Sequence, residues 1–89
     1  MLYEIKQINF ASSLYKDIHT SEDYNTAWEI FLEQTLWTND SDILVLLVYG
    51  NPHYPNPYAL CHYENNKLYR HMFVGQKTYF EEIDLGKVS

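Results

Sequence analysis

Thr38-Asn39-Asp40-Ser41-Asp42-Ile43-Leu44-Val45-Leu46-Leu47-Val48-Tyr49-Gly50 divides this chain into two unlike halves. The polar run at 38–42 reads as a turn, since Asn, Asp and Ser close local hydrogen bonds with their own backbone. Residues 43–49 are then uninterruptedly apolar and rich in branched side chains. With no alternation, they read as a strand covered on both faces, the central strand of a sheet. Gly50 ends it. The next stretch, Asn51-Pro52-His53-Tyr54-Pro55-Asn56-Pro57, cannot be a central strand, because three prolines remove three donors. It reads as a semi-rigid loop with His53 and Tyr54 at its tip.

Beyond the loop, Tyr58 to Tyr63 and Leu68 to Val74 are two strand-like runs joined by Glu64-Asn65-Asn66-Lys67. Asparagine tolerates positive φ, as a two-residue type I′ loop requires. In that register Glu64 faces Lys67, Tyr63 faces Leu68 and Leu60 faces His71. Thr78-Tyr79-Phe80 adds a short strand before a polar tail from Gly86.

Before the turn the chain reads as helical. Thr20-Ser21-Glu22-Asp23 has the spacing of a capping box between Thr20 and Asp23. Glu22 and Asp23 suit the positive end of a helix dipole. At about 100° per residue, Tyr24, Ala27, Trp28, Phe31, Leu32 and Thr35 form one face. Glu22, Glu29 and Glu33 fall opposite. Leu14 and Ile18 are spaced i, i+4, and Ser12 or Ser13 could cap a short helix through Lys16. Residues 2–10 fit either class: Tyr3 and Ile5 alternate, while Leu2, Ile5 and Ile8 could share a helix face. The expected architecture is therefore α+β, with two N-terminal helices packed on a three- to four-stranded antiparallel meander. It forms a single domain over 1–89.

Charge is distributed as unevenly as structure. Between Lys16 and Lys67 there is no lysine or arginine, yet the interval holds Asp17, Glu22, Asp23, Glu29, Glu33, Asp40, Asp42 and Glu64. The net charge of −6 argues against direct binding of nucleic acid. A one-sign surface of this kind attracts a cationic partner, a DNA-processing enzyme for instance. The partner-binding residues are then Glu22, Asp23, Glu29, Glu33, Asp40 and Asp42. The nine tyrosines suit contact surfaces, where a ring that is apolar in the body and polar at the tip is useful.

Residues suited to reaction chemistry are few. The three glycines, Gly50, Gly75 and Gly86, are too far apart for a phosphate-binding loop. Cys61 is the single cysteine, so no internal disulfide can form, and it reads as a small apolar core residue. His62 and His71 should lie on one sheet face as diagonal neighbours. No metal-ligand spacing accompanies them, so neither metal nor cofactor is expected. The expectation is a non-enzymatic binder without a membrane span, placed in the cytoplasm.

Ser41-Asp42-Ile43-Leu44-Val45, opening the first strand of a short acidic protein, resembles the phage uracil-DNA glycosylase inhibitors. That resemblance implies two helices before an antiparallel sheet. It also implies DNA mimicry, in which acidic side chains occupy the enzyme's phosphate-binding groove. It further implies an apolar pocket between helix and sheet that captures the leucine the enzyme pushes into the duplex. Carried over, Ser21-Glu22 and the acidic helix with Glu29 become the mimic edge, the family's Glu-Ser pair standing here in reversed order. Trp28, Leu32 and Val45 would line the pocket. Two other readings share the charge argument or the tyrosines. One is an immunity protein or antitoxin for a basic toxin. The other is a small adaptor that forms a homodimer through its hairpin.

Overall fold

The structure is a computed structural model and describes residues 1–9, 11–54 and 56–83. Its elements in order are β1 (Leu2–Asn9), β2 (Tyr15–Ser21), α1 (Tyr24–Thr35), β3 (Asp42–Tyr49), β4 (Tyr58–Glu64), β5 (Lys67–Val74) and β6 (Lys77–Ile83). Among the described residues the strands form one six-stranded sheet, ordered β2-β1-β3-β4-β5-β6, with every neighbour antiparallel. The single helix α1 packs on β1, β2 and β3.

This overturns the expectation of two N-terminal helices on a smaller sheet. Residues 2–9, ambiguous by pattern, are a strand because β3 offers them a full ladder, from Leu2 opposite Tyr49 to Asn9 opposite Asp42. The short helix expected from Ser12 or Ser13 through Lys16 is instead the loop into β2 and the first two residues of that strand. Its Leu14–Ile18 spacing is incidental: Leu14 is 69% exposed and lies outside any core stripe. Thr20 belongs to β2, so it does not cap the helix. Asp23 does, accepting a hydrogen bond from the Thr26 N–H. The tail expected from Gly86 lies outside the described residues.

The core forms where the helix meets the sheet. Along α1, Ala27, Phe31 and Thr35 are buried at i, i+4, i+8, a stripe that a 3.6-residue repeat keeps on one side. They meet Ile5 of β1 and Leu44, Leu46 and Val48 of β3; Cys61, Tyr63 and Leu68 continue the same layer into β4 and β5. β3 alternates buried and half-buried residues along its whole length. Its continuous apolar run therefore does not mean two fully covered faces. Ile43, Val45, Leu47 and Tyr49 form a half-buried second face over which no described element lies.

Size explains the partial cover. A helix is about 10–12 Å across, while strands repeat at about 4.8 Å. One helix spans two or three strands, and here it spans the first three in sheet order. The β4–β5 turn forms as its residues demand: Asn65 and Asn66 take φ of 52° and 67°, and Glu64 pairs with Lys67. Gly75 takes φ of 63° at the first position of the β5–β6 turn, as a type II′ turn requires.

Phe31 is fully buried at the centre of this contact. Phe31→Ala should cost about 3–5 kcal/mol of stability. Glu29→Ala, on the exposed side of the same helix, should change it by less than about 0.5 kcal/mol. Urea-unfolding midpoints of the two variants check the contrast.

Candidate partner-binding site

The outer side of α1 follows from its inner side. With Ala27, Phe31 and Thr35 turned to the sheet, Glu29 and Glu33 stand opposite them, one turn apart, and both are exposed. Glu22, exposed just before the helix, continues the line. None of the three makes an ion pair with any described residue. Two of the described cations are engaged with other carboxylates. Lys6 contacts Glu4 at 3.2 Å and Asp17 at 3.7 Å on the sheet face away from the helix. Arg70 contacts Glu81 at 2.8 Å between β5 and β6.

The other three expected contact residues have different situations. Asp23 caps the helix, its carboxylate held by the Thr26 N–H at 3.3 Å and the Thr26 hydroxyl at 2.6 Å. The bond from the Thr26 hydroxyl leads the effects that lower its pKa, so it remains charged and exposed. Asp40 is exposed and accepts from the Asn66 side chain at 3.5 Å, linking the turn before β3 to the β4–β5 turn. Asp42 is only 4% exposed and accepts from Gln7 and Asn9, each at 2.7 Å. It clamps the end of β1 to the start of β3 and is not presented to a partner.

Beside the acidic ridge lies a cleft of about 510 Å³, within the usual range for a binding pocket. It exists because the sheet continues past the helix. Tyr24 and Trp28 of α1 form its wall, Leu46, Val48 and Cys61 its floor, and Tyr58, Arg70 and Ile83 its far rim. The wall is fixed by ring contacts: Tyr24 meets Tyr3 edge-on at 5.5 Å, Trp28 stacks on Tyr24 at 6.4 Å and on Phe31 at 5.9 Å. Of the three residues expected to line an apolar pocket, Trp28 does. Leu32 packs on the core instead. Val45 lies in β3 opposite Lys6 and His62, on the face away from the helix. The rim residues could not be foreseen without knowing that the helix stops short of β4. Burial pushes the Cys61 thiol up to about 12, so it contributes an apolar surface and not a thiolate.

On the opposite sheet face His62 Nδ1 and His71 Nε2 approach to 2.6 Å across β4 and β5. A contact this short needs one proton between the two nitrogens. Tyr69 stacks on His62 at 5.1 Å and Phe80 covers His71 at 4.6 Å. Glu64 lies 4.0 Å from His62 Nε2. Among the described residues no group of three or more His, Cys, Asp or Glu converges on a point where a metal could sit. No described helix is long and apolar enough to cross a membrane. Comparisons with protein-family models, curated proteins and solved structures find no match.

Burial lowers the pKa of both histidines, and for His71 the neighbouring His62 lowers it further. The unfolded chain therefore takes up protons at a higher pH than the folded one. Stability is full above the unfolded pKa, about 6.5, and falls as pH drops below it. Urea midpoints measured from pH 8 down to about pH 5 should decline, and the decline should be shallower in His62→Gln/His71→Gln.

Proposed function

We propose that this protein binds and blocks the basic surface of another protein, foremost the nucleic-acid groove of a DNA-processing enzyme. The observation that carries the reading is the row Glu22, Glu29 and Glu33, exposed before and along the outer side of α1 and in no ion pair with any described residue. Uncompensated charge of one sign steers a cationic partner and raises its association rate. The cleft beside the helix supplies what charge lacks. Tyr24, Trp28, Leu46 and Val48 offer an apolar recess in which a partner side chain can lose its water. Charge would then set encounter and orientation, and the recess would slow release.

The run Ser41-Asp42-Ile43-Leu44-Val45 leads into β3, preceded here by two strands and one helix. Its likeness to the uracil-DNA glycosylase inhibitors makes that glycosylase the first enzyme to assay. An immunity or antitoxin role would use the same ridge against a basic toxin.

The test uses purified uracil-DNA glycosylase together with a lysate capture of basic proteins, each at low and high salt. Binding should be strong at low salt and fall steeply as salt rises. Glu29→Lys/Glu33→Lys should weaken it by about tenfold or more with an unchanged circular-dichroism spectrum. Trp28→Ala should speed dissociation with little effect on association. Capture that ignores both salt and the charge reversal, or no basic protein held at low salt, contradicts the proposal.

A further inference from the structure

The two edges of the sheet are finished differently. β2, though largely exposed, is irregular: its pairing with β1 is broken by a register shift, which twists an edge, and α1 packs on its face. β6 has no such protection. It contains no proline and pairs with β5 in unbroken register from Lys77 opposite Val74 to Ile83 opposite Leu68. No described element covers its outer side. The hairpin it belongs to also exposes Met72, Phe73, Val74, Tyr79 and Phe80, between 36% and 61% each. A long edge in unbroken register, with its outward backbone groups unpaired among the described residues, is a template for another strand.

The turn fixes which groups that edge offers. Gly75-Gln76 is a two-residue loop, so Val74 and Lys77 close it. Residues 77, 79, 81 and 83 therefore aim their backbone at β5, and Thr78, Phe80 and Glu82 aim theirs outward. A second strand that extends the sheet must meet outward residues with outward residues and keep the two faces aligned.

One occupant meets these conditions with matching charge. We infer that two copies of this chain pair through β6, antiparallel about a two-fold axis at Tyr79, joining their sheets into one. In this register Lys77 of each copy stands opposite Glu81 of the other, Thr78 opposite Phe80, Gln76 opposite Glu82, and Tyr79 opposite itself. Glu81 is already bound to Arg70, so each side gains a cation–carboxylate–cation row. Sliding the strands by two residues to centre on Phe80 puts Lys77 opposite Ile83 and loses both charge pairs. Sliding again puts Glu81 against Glu81, which repels. The self-complementary register is isologous, so the assembly closes at two copies.

Sedimentation velocity on the full chain tests this. The wild type should sediment as a dimer by about 100 μM. Lys77→Glu alone and Glu81→Lys alone should each weaken pairing by about tenfold or more. An equimolar mixture of the two variants should restore it, because each mixed pair then sets two carboxylates opposite two ammonium groups, one pair in the native sense and one exchanged. Thr78→Pro removes an outward N–H that β5 does not use, so it should yield a folded monomer even if loss of the Arg70 contact harms Glu81→Lys. A wild type that stays monomeric throughout overturns the inference, and so does a dimer indifferent to Lys77→Glu and Thr78→Pro.

Discussion

Phe31, packed with Ala27 and Thr35 on the β1–β3 floor, holds the molecule together, and one helix is all the cover that the described residues give this sheet. The stripe fixes the rotation of α1. That rotation sends Glu29 and Glu33 outward and turns Tyr24 and Trp28 toward the flank where the sheet runs on uncovered. The acidic ridge, the apolar cleft and the bare β6 edge are thus three consequences of one mismatch in width between a helix and six strands. A second helix over β4–β6 would fill the cleft and hide much of the exposed hairpin.

Electrostatics follow the same division. The cations that make ion pairs do so with carboxylates of the sheet, Lys6 with Glu4 and Asp17 on the face away from α1 and Arg70 with Glu81 across the cleft from it. Exposed pairs of that kind contribute little to stability. Their larger effect is to leave the charge of the ridge uncompensated. Asp42 shows the opposite use of a carboxylate. It is drawn inside and satisfied by two amides, so its charge organises the fold and does not face solvent.

Local chemistry was legible in the sequence wherever it decided structure unaided. Asn65-Asn66 specified a turn needing two positive φ values, and Ile43–Tyr49 specified an inner strand. The buried stripe Ala27, Phe31 and Thr35 followed from helical spacing. The N-terminal strands were not legible, because pairing decides them. Tyr15–Ser21 is an edge strand with little buried on either side, so it carries almost no alternation. Thr20 to Asp23 mimics a capping box, while the chain uses Asp23 as the cap itself. The inward role of Asp42 depends on a register that brings Gln7 and Asn9 beside it from distant positions in the chain. The cleft rim at Tyr58, Arg70 and Ile83 likewise comes from strand order, which no local pattern encodes.

Both functional proposals require that α1 stabilise one half of the sheet and that no described helix cover the other half. Native-state hydrogen exchange, resolved by residue on dilute protein, tests it most directly. The slowest amides should lie in β1, in β3 and around Ala27–Phe31, exchanging only through global unfolding. Amides of the Met72–Phe80 hairpin should exchange faster, by local opening. Equal protection of the hairpin and of Leu44–Val48 would contradict it.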